Sequence, residues 1–287
     1  MGANDSTVSS LAQRLGERLA FEVQGQGPAV VFLHGFAGSR RQWRALMDRV
    51  ASWGYRTYAL DLPGHGESPK PLEREAYHPH VWVDALAEWH QRYVNEPAWW
   101  VGHSLGGGMA VLLARRHPRR VRGGLLVAPY LHRRQWRGWV HLLAPFMPLL
   151  AQPPGYPHWA APAMHLAWCI HPDYHRASPT QRRVRVWEAL HLSPRAWWTV
   201  LHMAAPWTPP PPGRWALMAG ARDTILRYAS FVDLARAWDL PLQTLPEGHH
   251  VLHISHPQEV LAALQALLAE AAPQTATDSR TVISQTP

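Results

Sequence analysis

The chain has 287 residues, of which 47% are hydrophobic, and a formal charge of +8. That is enough apolar sequence for one sizeable core, as a single domain with an insertion or as two small domains. The one cysteine, Cys169, excludes an internal disulfide, so the fold rests on packing alone, which suits a reducing compartment.

Residues 1–10 are small and polar and lack the basic and apolar segments of a secretory signal. The chain up to residue 17 is expected to be poorly ordered. A strand is predicted at 19–23. A second, at 29–33, is a continuous apolar run of the kind buried on both faces. Trp43, Leu46, Met47 and Val50 give helical spacing over 42–53, and 55–60 returns to strand. Trp82, Leu86, Trp89 and Tyr93 form one stripe of a helix over 81–94. A strand at 98–101 runs into Gly102, a helix over 105–116 ends at His117-Pro118, and a strand follows at 121–127.

The strand–helix rhythm stops there. Residues 130–212 are rich in Trp, His and Pro, with helical pieces at 136–143, 161–169, 181–190 and 195–202. The prolines at 209–212 close this region as a stiff linker. Its most apolar stretch, 139–151, contains His141, Pro145 and Pro148 and is too short to span a bilayer. Strands resume at 215–218 and 242–245 around a helix over 228–238. A last helix covers 257–271, and the polar tail 273–287 is expected to be disordered. The pattern predicts an α/β fold, a mostly parallel sheet with helices on both faces, built from 18–129 and 213–272. Residues 130–212 would form a helical cap inserted above it. A cytoplasmic protein is expected.

The most specific chemical signal is Gly102-His103-Ser104-Leu105-Gly106, a G-x-S-x-G sequence between a strand and a helix. The turn is so sharp that its flanking positions must be small. It exposes the serine oxygen, and the Leu105 amide opens a helix, where developing negative charge is favoured. A serine needs a base, and the base needs an orienting carboxylate. Gly220-Ala221-Arg222-Asp223 and Gly248-His249-His250 each follow a predicted strand, where ligands bind in open α/β sheets. Asp173, Asp233 and Asp239 are weaker candidates, lying in the insertion or on a helix.

With these motifs the chain resembles the α/β-hydrolase fold superfamily over residues 18–271, in its serine esterase and lipase-like branch. His34-Gly35-Phe36 and Asp61-Leu62-Pro63-Gly64-His65-Gly66-Glu67-Ser68 resemble two further family segments. The resemblance implies Ser104 as nucleophile, Asp223 as acid, and an oxyanion hole from the backbone N–H groups of Phe36 and Leu105. It also implies His250 over His249 as base, because the family histidine stands seven residues before a proline, here Pro257. His250 to His253 further resembles monoacylglycerol-lipase-like members, although Ser255 stands where an acidic residue is common. Serine at the elbow argues against the branches with a carboxylate nucleophile, haloalkane dehalogenases and epoxide hydrolases. His34 would shape the oxyanion loop, while His65 and His103 belong to turns.

The expected activity is hydrolysis of a small apolar ester, a carboxylester or acylglycerol, needing no metal or organic cofactor. Alternatives are a carbon–carbon bond hydrolase, an aminopeptidase, or a ligand receptor on the same scaffold. His171 and His175 have i, i+4 spacing but Pro172 between them and no third ligand. Apart from Lys70, the lysine and arginine positions are all arginine, clustered at 115–122, 133–137 and 182–185. These read as solvated faces or as attraction to anionic groups. No nucleic-acid motif accompanies them, so no such partner is expected. Trp and Leu beside Arg133, Arg134 and Arg137 have an interfacial composition, which leaves open a weak membrane contact through the cap.

Overall fold

The computed structural model describes residues 5–144, 177–208 and 211–269. Seven strands form one sheet in the order β1-β3-β2-β4-β5-β6-β7. They are β1 (Phe21–Gln24), β2 (Ala29–Leu33), β3 (Arg56–Leu60), β4 (Ala98–His103), β5 (Val121–Val127), β6 (Arg214–Gly220) and β7 (Leu242–Leu245). Only β1 is antiparallel to its neighbour; every other pairing is parallel.

The central strands are apolar throughout because each face is covered. Alternate side chains enter separate cores, as the period of two requires. Val31 and Leu33 of β2 and Trp100 of β4 pack with helices Pro79–Tyr93, Leu105–Arg116 and Tyr228–Trp238. Val30 and Phe32 of β2 and Val101 of β4 pack with helices Arg44–Ala51 and Pro257–Ala269.

The beginning of the chain differs from expectation. A helix runs from Asp5 to Gly16, and Leu11, Ala12 and Leu15 are buried in the first of these cores, on helix Pro79–Tyr93. The serines and threonine at 6, 7, 9 and 10 mask the helical stripe of Val8, Leu11, Ala12 and Leu15, spaced i, i+3, i+4 and i+7. Gly16 lies so close to the partner helix that a Cβ there would stand 2.6 Å from the Ala85 carbonyl.

Along the chain the alternation of strand and helix is interrupted between β5 and β6, as the break in rhythm predicts, although the two strands pair directly in the sheet. Among the described residues this segment contributes helices Gly138–Leu143, Pro179–Leu190 and Trp197–His202 and no strand of the sheet. It docks on the loops at the carboxyl ends of the strands. Ser193 N–H donates to the Gly64 carbonyl at 2.7 Å, and Thr199 Oγ1 donates to the Tyr77 carbonyl at 2.6 Å. Cys169, His171, His175, the helix expected at 161–169 and the tail 273–287 lie outside the described residues. No described helix is long and apolar enough to cross a membrane. No cluster of metal-ligating side chains occurs among the described residues.

Candidate active site

The chain leaves β2 outward to β3 and then returns to the other side of β2 as β4. The loops after β2 and β4 therefore diverge from adjacent strand ends, which is where open α/β sheets form their crevice. Leu33 pairs with Gly102 at that edge, so the loop beginning at His34 lies beside Ser104. One strand pair further on, β6 and β7 end in register at Gly220 and Leu245, which brings the loops with Asp223 and His250 to the same rim.

Ser104 has φ 49° and ψ −116°, a conformation that only glycine adopts without strain. Its backbone is held from several sides. The amide donates to the Val127 carbonyl at 3.0 Å, and the carbonyl accepts from Gly108 at 3.1 Å and Tyr130 at 2.9 Å. The turn closes only because its flanks carry no side chain. A Cβ on Gly102 would stand 2.6 Å from the Gly106 carbonyl oxygen, and one on Gly106 would stand 2.4 Å from that of Leu33.

Ser104 Oγ lies 3.0 Å from His250 Nε2, and His250 Nδ1 lies 2.8 Å from Asp223 Oδ2. The carboxylate only accepts, so Nδ1 carries the proton and Nε2 is left to accept from the serine hydroxyl. Asp223 is fully buried, and its second oxygen accepts from the amides of Ile225 and Leu226, each at 2.8 Å. Those bonds satisfy the buried charge and fix the carboxylate plane. His249 is directed elsewhere, its Nδ1 2.9 Å from the Arg222 carbonyl. Asp233 pairs with Arg236, and Asp239 caps the end of helix Tyr228–Trp238, so neither approaches the histidine.

Two further histidines shape the loop after β2. His34 Nδ1 donates to the Gly35 carbonyl, and its Nε2 accepts from the Leu62 amide at 2.9 Å. His65 Nδ1 donates to the Pro63 carbonyl, and its Nε2 accepts from the Ala37 amide at 3.2 Å. Both rings are neutral: burial pushes His34 down to about 4 and His65 down to about 3. The Ala37 amide, next to Phe36 in this loop, is thereby occupied by His65. A Cβ on Gly35 would stand 3.1 Å from the Ser104 Cβ, so this backbone touches the serine. The Leu105 amide opens helix Leu105–Arg116 and has no intrahelical acceptor.

Residues 28–166 match the family model for the alpha/beta hydrolase fold. The chain has the α/β-hydrolase fold. The rat bifunctional epoxide hydrolase 2 is 32% identical over 119 residues, 42% of this chain and 22% of the relative. The chain thus spans only about a fifth of the length of the first curated relatives. The enol-lactonase from Burkholderia xenovorans LB400 superposes with TM-score 0.74 at 18% identity, covering 88% of this chain and 96% of its own. A thermophilic esterase from Thermogutta terrifontis gives TM-score 0.70 at 20% identity, covering 89% and 94%.

Several side chains around the site escape the motif reading. Arg137 donates to the Asp223 carbonyl at 2.6 Å, and Trp139 to that of Thr224 at 2.9 Å, which ties the inserted segment to the acid loop. Arg40 is buried and pairs with Asp61, Glu67 and Glu22 beneath the same loops. Arg185 and Glu188, in a stretch that reads as a solvated arginine face, are also buried. One signal was available: among residues 130–212 only Asp173 and Glu188 are acidic, against eight arginines.

Proposed function

We propose that this chain is a serine hydrolase that cleaves a small apolar carboxylester or acylglycerol-type ester through an acyl-enzyme. The observation that carries the reading is the continuous relay from Ser104 Oγ through the His250 ring to the buried Asp223 carboxylate, at 3.0 and 2.8 Å. Ser104 Oγ attacks the ester carbonyl carbon while its proton passes to His250 Nε2. The carbonyl oxygen gathers negative charge and accepts from the Phe36 and Leu105 amides. The bond from carbon to the leaving oxygen then breaks, and His250 returns the proton to that oxygen. Water attacks the acyl group in the second half, with His250 again taking a proton, and Ser104 is regenerated as the acid departs. Asp223 holds the imidazole tautomer throughout.

Serine at the elbow supports ester chemistry over the activity named for the epoxide hydrolase relatives, since that branch uses a carboxylate nucleophile. Residues 130–212 are proposed as the cap that roofs the acyl pocket. In keeping with an apolar roof, Trp197 lies 4.3 Å from the Phe36 ring, and Tyr130 stacks on Trp136 at 5.8 Å. Incubation with a fluorophosphonate probe tests the reading. Wild type is expected to be labelled and Ser104→Ala not. Labelling of neither, or of both equally, overturns the mechanism.

A further inference from the structure

Helix Pro179–Leu190 reaches the loop after β2 through one buried carboxylate. Glu188 is 2% exposed and accepts from Ser39 Oγ at 2.7 Å and from Gln42 Nε2 at 2.8 Å. Its charge is matched by Arg185, three residues earlier, at 2.7 Å, and the same guanidinium donates to the Ala37 carbonyl at 3.3 Å. Ala37 follows Phe36, the proposed oxyanion donor, so both partners of the pair grip the segment that carries that amide.

The chain of bonds does not stop at the loop. Glu188 accepts only, so the Gln42 amide nitrogen faces it and Gln42 Oε1 is free to accept from His253 Nε2 at 2.8 Å. The His253 ring stacks on Trp43 at 4.3 Å and lies 4.6 Å from His103. His103 Nε2 in turn donates to the His250 carbonyl at 2.9 Å. Burial holds both of these histidines well below their ordinary range, so the path is made of neutral rings with fixed tautomers.

A buried ion pair generally stabilises a fold little more than well-packed apolar residues of similar volume would. Its geometric demand is much stricter. The bonds from Ser39 and Gln42 onto the Glu188 carboxylate, with that from Arg185 onto the Ala37 carbonyl, fix the distance between helix Pro179–Leu190 and the loop of residues 37–42 more narrowly than apolar contact does. We infer that Glu188, with Arg185, is a positioning residue: docking of this helix sets the oxyanion loop, and through Gln42 and His253 the base loop, for attack by Ser104. This rests on the serine-hydrolase reading.

The test compares wild type, Glu188→Gln, Ser39→Ala and the volume-matched double variant Arg185→Met/Glu188→Met. The readouts are the rate of fluorophosphonate labelling, kcat and KM on a p-nitrophenyl ester, and Tm. In the double variant Tm is expected at or above the wild-type value. Labelling rate and kcat are expected to fall at least tenfold, with KM changed less than threefold. Glu188→Gln should lose as much activity and also Tm, and Ser39→Ala should lose severalfold in kcat at unchanged Tm. A double variant that melts and reacts like wild type overturns the positioning role and reduces the pair to packing. Should it not fold, wild-type kcat in Ser39→Ala does the same. Labelling of Ser104 in wild type decides the hydrolase reading separately, so the two failures are distinguishable.

Discussion

Ser104, His250 and Asp223 carry their geometry through bonds that each leave one atom for one task. Asp223 uses Oδ1 on two backbone amides and Oδ2 on the imidazole, so Asp223→Asn presents an amide where a carboxylate accepted. Under the proposed mechanism that change favours the wrong histidine tautomer, and kcat should fall by roughly 10⁴-fold, the scale seen when the equivalent change is made in a serine protease triad. The adjacent histidines give a sharper comparison. His250→Ala should lower kcat by at least about 10³-fold. His249→Ala, whose ring faces the Arg222 carbonyl, should stay within about twofold of wild type. Equal losses in steady-state ester hydrolysis would show that the relay is assigned to the wrong ring. The family spacing before a proline favoured His250 over His249 in the sequence, and it is the His250 ring that lies 3.0 Å from Ser104 Oγ. Beyond the scarcity of acidic residues in 130–212, nothing marked the contacts of Glu188 with Ser39 and Gln42, because these span more than 140 positions of the chain.

Most elements were legible where one face, or both faces, of the element had a regular apolar pattern. Helices Leu105–Arg116 and Tyr228–Trp238 and strands β2, β5 and β7 have the bounds that periodicity and flanking Gly or Pro predict. The first helix was not, since its small polar residues resemble those of a disordered terminus. Its burial makes a prediction: Leu15, 4% exposed, should cost about 2–4 kcal/mol when cut to alanine, read by urea denaturation. A cost under about 0.5 kcal/mol would mean that the helix does not dock in solution. The elbow makes the opposite demand, for emptiness. Gly106→Ala drives a methyl group to 2.4 Å from the Leu33 carbonyl oxygen, so β2 and the loop after it must move. It should destabilise by about 1–3 kcal/mol and abolish probe labelling while Ser104 itself is intact. Wild-type labelling in that variant would show that the β2 loop tolerates displacement.

At the scale of the whole molecule, the strand order and the identity of the buried groups emerge only in three dimensions. Nineteen histidines gave no indication of which are interior. The fold buries His34, His65, His90, His103 and His253, and in each case burial depresses the pKa. The consequence for stability has a definite sign. An unfolded histidine binds its proton near pH 6.5, whereas folded His34 waits until about 4 and folded His65 until about 3. Between those values the unfolded chain holds protons that the native chain does not, so stability falls as pH falls. Near pH 5, His34 and His65 alone give a slope of roughly 2 to 3 kcal/mol per pH unit. Glu188 acts in the opposite sense, because burial raises its pKa and the native state then gains a proton first. Glu22, Glu67 and Asp84, held low by arginine and histidine partners, add acid sensitivity only below the ordinary carboxylate range. The window from pH 6.5 down to 5 therefore belongs to the histidines. Urea midpoints should be nearly level from pH 8 to 7 and then drop steeply from 6 to 5. A midpoint that stays level or rises across that last interval would mean that these rings become protonated inside the native fold.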